Sequence, residues 1–138
     1  MGSIDKEDDS EKFSLASRLK SFVNAFSGLS LILKHEHNFR IHIIILVFVI
    51  VSGICFNISA TDWIAVAIVS GLVLTAECFN SAIEYLSNVV SPEIDPVIRN
   101  VKDAAAAGVL IAAIAAVIVG LIIFVPEILQ AINDSAGK

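Results

Sequence analysis

The sequence predicts an all-α membrane protein with an N-terminal surface helix followed by three transmembrane helices. Of its 138 residues 57% are hydrophobic, and the mean hydropathy is +0.85, whereas soluble domains have about 45–50% apolar residues. The excess lies in three long blocks with few charges, which is typical of membrane-spanning helices. Before them, apolar residues recur every three or four positions, the helical period. This composition excludes a disordered chain, a disulfide-stapled secreted module and a basic nucleic-acid binder.

Two different segments precede the first apolar block. Residues 1–12 carry five acidic side chains, a composition that predicts a solvated, disordered tail. Residues 14–38 have apolar side chains at positions such as Leu15, Phe22 and Leu29, with basic and polar side chains on the opposite face. A helix of this kind suits a membrane surface, so we predict an amphipathic surface helix over residues 14–38.

The three apolar blocks predict the spans. We place them at about residues 39–57, 61–90 and 96–125, since a helix needs about 20 apolar residues to cross a bilayer. With the surface helix they form a single domain over residues 13–127, and residues 128–138 follow as a C-terminal tail.

Capping residues and a proline mark the span boundaries. Ser59 followed by Asp62 resembles a capping box that opens the second span. Asp95 followed by Pro96 offers an N-cap with proline at the first helical position of the third span. Pro126 is expected to close that span.

Basic residues predict the orientation of the chain in the membrane. Eight of the nine Lys and Arg residues lie in the first 40 residues or just before the third apolar block, and the loop between the first two spans has none. Because basic residues stay on the cytoplasmic side, we predict a cytoplasmic N-terminus and an external C-terminus.

The third span carries small residues at every fourth position, namely Ala104, Gly108, Ala112, Ala116 and Gly120. Such a stripe lets helix backbones approach closely in lipid. We infer that part of this packing is between subunits, because three helices enclose little interior. Packing within one subunit remains the alternative.

Carboxylates inside the second apolar block are the strongest functional signal. Glu77 and Glu84 are seven residues apart, so two helical turns place them on one face together with Asn80. A charge that faces hydrocarbon costs at least about 2.5–3.5 kcal/mol on insertion scales. Ion pairs with Lys102 or Arg40 would be a purely structural explanation. We instead interpret one carboxylate as within reach of a lipid hydroxyl and the other as within reach of a soluble phosphate donor.

Further charged side chains are expected at the same membrane face, namely Lys20, Glu36, Arg40, Lys102 and Asp103. Carboxylate oxygens are ligands that Mg²⁺ prefers, and cations bind phosphates. Phosphoryl transfer needs both. The sequence contains no soluble phosphate-binding loop and no protein-kinase catalytic loop.

Three histidines lie around the start of the first span, at His35, His37 and His42. His35 and His37 do not share a helix face. We interpret all three as interfacial side chains, with metal binding as the minor alternative.

Three motifs together resemble the small prokaryotic diacylglycerol kinase and undecaprenol kinase family. Residues 77–84 (ECFNSAIE) resemble its E-x-x-N-[ST]-A-I-E signature. Lys102 and Asp103, followed by alanines, resemble its K-D-x-x-A-[AG] motif, and residues 36–40 (EHNFR) resemble its E-x-[AN]-F-R motif. The motifs occur in the family order, and the resemblance covers roughly residues 18–125.

The resemblance implies a homotrimer in the bacterial cytoplasmic membrane, with active sites shared between subunits. It implies transfer of the γ-phosphate of ATP, with Mg²⁺, to a lipid alcohol, either diacylglycerol or undecaprenol. Glu77 would be the general base, and Glu36 and Glu84 would hold the metal. The nucleotide site would comprise a wider set of residues: Lys20, Asn24, Glu36, Asn80, Glu84, Glu93, Asp95, Lys102 and Asp103.

Departures from the family pattern and competing functions qualify this expectation. Asn88 stands where members commonly have Asp, and Asp95 stands where many have His. Residues 38–42 and 91–93 look more like the undecaprenol kinase branch. The alternatives are a small ion- or proton-coupled transport protein that uses Glu77 as a relay, and a catalytically silent member of the same fold.

Overall fold

Four α-helices make up the computed structural model, which describes residues 15–91, 93 and 95–136. They are α1 (Leu15–His35), α2 (His37–Phe56), α3 (Ala60–Val90) and α4 (Pro96–Ala136). No strand occurs in these ranges, which confirms the all-α prediction for the described part of the chain. The predicted acidic tail, residues 1–12, lies outside the described residues.

Helices α2, α3 and α4 are long and apolar enough to cross a membrane. They contain 20, 31 and 41 residues, and at about 1.5 Å per residue even α2 matches a hydrocarbon core of about 30 Å. The three spans expected from the apolar blocks are therefore present as helices, as in a multi-pass membrane protein.

The junction between α1 and α2 lies earlier than the sequence predicts. The expected surface helix ran to residue 38, but α1 ends at His35 and α2 begins at His37. Between them Glu36 has extended backbone angles, φ −95° and ψ 116°, and is the N-cap residue of α2. One extended residue redirects the chain from α1 into α2. Glu36 therefore sits at the corner between the two helices.

The turn between α2 and α3 is closed by local contacts. Asn57 adopts a left-handed conformation, φ 52° and ψ 47°, and ends α2. Ser59 and Asp62 form the predicted capping box, in which each side chain accepts the other residue's backbone N–H at 3.2 Å. Gly53 lies against the indole of Trp63, so that a Cβ at position 53 would be only 2.8 Å from the Trp63 ring.

Helix α4 begins where the sequence predicts but ends later. Asp95 caps it, since its Oδ1 accepts the backbone N–H groups of Val97 and Ile98 at 2.7 and 3.3 Å. The expectation that Pro126 closes the helix is wrong, because Pro126 lies inside α4 and the helix continues to Ala136. Proline removes one backbone donor and disturbs one turn, and helices tolerate this where neighbouring backbone groups adjust. Residues 128–136 are thus helical.

Helix α4 packs mainly against α3. In the small-residue stripe, Ala112 is 5% exposed, so part of the stripe is used within one chain. A Cβ added at Gly108 or Gly120 would meet nothing within 4 Å. The expected packing of this stripe between subunits stays a prediction.

Candidate active site

One face of α3 carries buried polar side chains near the middle and end of the helix. Glu77, Asn80 and Ser81 are 2%, 6% and 1% exposed, and Glu84 is half-buried one turn further on. Intervals of three and four residues place these side chains on one face. The shared face inferred from the sequence is therefore present, and it points into the protein.

Glu77 is buried without a hydrogen bond or salt bridge to its carboxylate. Within residues 15–91, 93 and 95–136 its carboxylate forms no hydrogen bond and no salt bridge. The ion pairs considered from the sequence, with Lys102 or Arg40, do not form there. A buried carboxylate normally has such partners because its desolvation is costly, so Glu77 is not explained as a structural residue.

Two further buried polar atoms close to Glu77 on this face lack hydrogen-bond partners in the described chain. They are the Asn80 Oδ1 and the Ser81 Oγ. Leaving a buried donor or acceptor unsatisfied costs about 1–3 kcal/mol, and native proteins contain few such groups. This face is therefore incomplete in a single chain without ligand, and polar groups from elsewhere would satisfy it.

Three carboxylates and one imidazole gather around this face. Asn80 Nδ2 donates a hydrogen bond to Glu84 Oε1 at 3.2 Å, which orients the Glu84 carboxylate. The Glu77 carboxylate interacts electrostatically with His42, Glu84 and Glu36. Glu36 reaches the cluster because it lies at the corner between α1 and α2. Like charges that interact in this way repel, and a cation would relieve that repulsion.

A groove of about 350 Å³ gives access to Glu77. Helices α2, α3 and α4 all line it. The lining residues are Asn38, Ile41, His42, Glu77, Asn80, Ala106, Val109, Leu110 and Ala113. Apolar walls with a few polar groups at one end match a site for an amphipathic ligand. We call it the Glu77 groove.

His42 is the site residue that the sequence interpretation missed. It was grouped with His35 and His37 as interfacial, but it lines the Glu77 groove whereas His37 is exposed. The residue spacing could have shown this. Helices α2 and α3 are antiparallel neighbours, and His42 follows Glu36 by six residues while Glu77 precedes Glu84 by seven. His42 and Glu77 therefore lie at about the same depth along the bundle if Glu36 and Glu84 do.

Charged side chains at the start of α4 have partners of their own. Lys102 Nζ donates a hydrogen bond to Asn88 Oδ1 at 3.0 Å, linking α4 to the end of α3. Arg99 Nε lies 3.9 Å from Asp103 Oδ2, in an exposed pair. Asn88, one of the two departures from the family pattern, thus holds Lys102 through a neutral amide.

The other nucleotide-site candidates are dispersed in the single chain. Lys20 and Asn24 lie on the exposed surface of α1, and neither makes a hydrogen bond or ion pair to the Glu77 cluster within the described residues. Glu93 and Asp95 are exposed in the α3–α4 loop. The Asp95 carboxylate already caps α4, a role that was also expected from the sequence.

Metal binding by this chain alone would be incomplete. Across residues 15–91, 93 and 95–136, no three His, Cys, Asp or Glu side chains are grouped closely enough to hold a metal ion. Magnesium, however, is usually bound by only one or two carboxylates, with substrate phosphates and water as its remaining ligands. The all-oxygen pair Glu36 and Glu84 fits that requirement.

Comparison with known proteins shows the family of this chain. The family model for prokaryotic diacylglycerol kinase matches residues 23–124. Undecaprenol kinase from Bacillus subtilis is 31% identical over 109 residues, which are 79% of this chain and 89% of that protein. Diacylglycerol kinase from Synechocystis sp. is 37% identical over 113 residues, which are 81% of this chain but 65% of that protein. The chain therefore belongs to the prokaryotic diacylglycerol kinase family.

Proposed function

We propose that this protein is a lipid kinase of the bacterial cytoplasmic membrane that transfers the γ-phosphate of ATP to the hydroxyl group of a membrane lipid alcohol. The observation that carries the proposal is the buried, unpaired carboxylate of Glu77 in a groove between apolar helices. A lipid alcohol has a long apolar body and one hydroxyl group, so the apolar walls would hold the body and Glu77 would meet the hydroxyl.

The reaction is an in-line displacement at phosphorus. The lipid hydroxyl oxygen forms a bond to the γ-phosphorus, and the bond from that phosphorus to the bridging oxygen of the β-phosphate breaks, releasing ADP. The hydroxyl proton passes to the Glu77 carboxylate. General-base assistance of this kind contributes about 10²–10⁴-fold to a rate. A base that is not already hydrogen-bonded, as Glu77 is not, is free to accept the proton.

Glu36 and Glu84 are the proposed ligands of Mg²⁺, which would enter with ATP and neutralise charge on its phosphates. Asn80 holds Glu84 in place through the 3.2 Å hydrogen bond. Lys102, fixed by Asn88, is suited to bind a phosphate as a point charge. We assign nucleotide contacts also to Lys20, Asn24, Glu93, Asp95 and Asp103.

The proposal includes a homotrimer with shared sites and a membrane-bound surface helix. Buried oxygens without partners beside Glu77 and the open face at Gly108 support contact with another subunit. Leu19, Phe22 and Phe26 of α1 are each more than 60% exposed. Their three- and four-residue spacing suits a helix that lies on a membrane with its N-terminus on the cytoplasmic side.

The lipid alcohol is either undecaprenol or diacylglycerol, and we favour undecaprenol. The relative from B. subtilis, named undecaprenol kinase, is matched over 89% of its length, whereas the Synechocystis diacylglycerol kinase is matched over 65%. The match thus covers a larger share of the undecaprenol kinase than of the diacylglycerol kinase.

The test is transfer of labelled γ-phosphate from Mg-ATP to undecaprenol and diacylglycerol in parallel, with full-length protein in mixed micelles. We expect labelled lipid with the unmodified protein, more of it from undecaprenol, and almost none with Glu77→Gln. Glu127→Gln is the matched control, because Glu127 lies at the opposite end of α4 from Lys102. Absence of label on both lipids, from folded unmodified protein, would overturn the proposal.

A further inference from the structure

The end of α4 from Pro126 onward has no part in the proposed reaction. We call residues 126–136 the terminal segment. The segment is helical, but it lies beyond residues 23–124, the part of the chain that the family model matches. The family match therefore assigns no role to the terminal segment.

The terminal segment lies beyond the hydrocarbon core, at the end of the bundle that carries Trp63. Phe56, the last residue of α2, contacts Phe124 of α4, with ring centroids 6.3 Å apart. Because α2 matches a hydrocarbon core of about 30 Å, this contact places Phe124 near one boundary of the core. From Phe124 to Ala136 the helix rises a further 18 Å or so, at about 1.5 Å per residue.

The pattern of apolar side chains changes at Pro126. No polar side chain occurs between Asp103 and Glu127, so the preceding part of α4 is apolar all round, as in a membrane span. In the terminal segment, by contrast, helical periodicity separates an apolar face from a polar face. The apolar face carries Ile128, Leu129, Ile132 and Ala136, and the polar face carries Glu127, Gln130, Asn133 and Asp134.

The apolar face of the terminal segment is open in the described part of the chain. Ile128, Leu129 and Ile132 are 43%, 56% and 57% exposed. Together with Phe56, the segment lines a groove of about 530 Å³ that opens to the surroundings. A helix that continued straight into water would keep this apolar surface hydrated, which is unfavourable. A partner with an apolar interior is therefore expected on this face.

Position and charge identify the lipid bilayer as that partner. The terminal segment starts at the boundary of the core, and Pro126 removes a backbone hydrogen bond there, which allows a helix to bend. A helix with one apolar and one polar face suits the membrane–water interface. The charged side chains of the segment, Glu127 and Asp134, are both acidic, and residues 126–136 contain no Lys or Arg. Anionic lipids repel such a segment, so a zwitterionic surface matches it best.

We propose that the terminal segment is an interfacial helix that docks on the zwitterionic surface of the bilayer at the Trp63 end. Ile128, Leu129 and Ile132 lie among the lipid chains, and the polar face stays in water. The segment and α1 then lie on opposite surfaces of the membrane, one acidic and the other basic. This inference does not depend on phosphoryl transfer.

Spin labels that report membrane depth test the inference. Cys55 and Cys78 are free, so both are first replaced by alanine, and the full-length protein is placed in phosphatidylcholine vesicles. Ile132→Cys then carries a nitroxide on the apolar face, and Gln130→Cys, the matched control, carries one on the polar face. We expect the label at position 132 to lie about 5–10 Å below the headgroup level, colliding often with oxygen and rarely with a water-soluble nickel chelate. The label at position 130 should show the reverse.

A second pair of substitutions tests the contact with lipid directly. Leu129→Asp places a charge on the apolar face and should raise the nickel collision rate of the Ile132→Cys label to that of the Gln130→Cys label. Asn133→Asp adds the same charge to the polar face and should leave the label at its original depth. Equal nickel collision rates at the two labels, or no effect of Leu129→Asp, would overturn the inference. A label at position 132 that is shielded from both reagents and broadened by a neighbouring label would place a second copy of the chain on this face, and would overturn it as well.

Discussion

The two ends of the helix bundle differ in how completely their polar groups are satisfied. At the Trp63 end, the capping box pairs Ser59 with Asp62, and Phe56 contacts Phe124 across α2 and α4, with ring centroids 6.3 Å apart. At the Glu77 end, a buried carboxylate without a salt bridge and two buried polar atoms without hydrogen-bond partners lie within the described residues. One end is complete within a single chain and the other is not.

Along helix α3, this difference separates residues that stabilise the fold from residues that serve function. Helix α3 begins at the Trp63 end and carries the buried polar face at the other end. Contacts that are fully made contribute to folding, whereas unsatisfied groups cost free energy and persist where a ligand or partner completes them. Substitutions at the Trp63 end should therefore reduce stability, and those at the Glu77 end should reduce activity.

The largest effect is expected for Glu77→Gln. Loss of the general base should lower lipid phosphorylation by about 100-fold or more. The free energy of unfolding should not fall, because an unpaired buried carboxylate is replaced by a neutral amide of similar size. Phosphate transfer and detergent unfolding, measured on the same preparation, check both parts. A variant that is active, or inactive only because it is unfolded, would contradict the comparison.

Gly53→Ala should instead lower the stability of the protein without lowering its activity. The new Cβ would lie 2.8 Å from the Trp63 ring and 3.0 Å from Ile58, and such overpacking costs about 1–3 kcal/mol. Unfolding in detergent should show the loss, with kcat per folded protein unchanged. The matched control is Gly71→Ala, where the added methyl meets nothing within 4 Å. Equal stability of the two variants would show that the Trp63 end is not tightly packed.

Substitutions of two serines test the same comparison of the two ends, with smaller expected changes in stability. Ser59→Ala removes the capping hydroxyl and should lower the free energy of unfolding by about 1 kcal/mol. Ser81→Ala removes a buried hydroxyl without a partner and should leave stability unchanged or slightly higher. If Ser81→Ala were the more destabilising variant, the Ser81 hydroxyl would have to be satisfied in the membrane-embedded assembly.

The smallest effect is expected at Asn88. Asn88→Ala removes the exposed hydrogen bond to Lys102, which should change stability by less than about 1 kcal/mol and raise the KM for ATP a few-fold. Asn88→Asp retains an acceptor for Lys102 and should keep a nearly normal KM. Titration of initial rates with Mg-ATP distinguishes these outcomes. An unchanged KM in Asn88→Ala would show that the position of Lys102 does not matter for the nucleotide.

Much of the fold and part of the site follow from local pattern. Apolar blocks of spanning length predict the three long helices, because the bilayer demands that length and composition. The capping box and the Asp95 cap are predicted as well, since a cap depends on neighbours within three residues. The shared face of Glu77, Asn80 and Glu84 needs only helical periodicity. The prediction that Pro126 closes the third span was wrong, because one missing backbone N–H donor does not end a helix whose other turns remain hydrogen-bonded.

The sequence by itself determined the three long apolar helices, the Ser59 and Asp95 caps and the polar face of α3, all of which depend on short-range spacing. Only the tertiary structure decided that Glu77 is buried without a salt bridge and that Glu36, at the junction of α1 and α2, interacts with it. Only the tertiary structure decided, too, that His42 rather than His35 or His37 lines its groove. The physical reason is that these relations join helices far apart in the chain. Their depth and rotation against one another are set by packing, which no local spacing encodes.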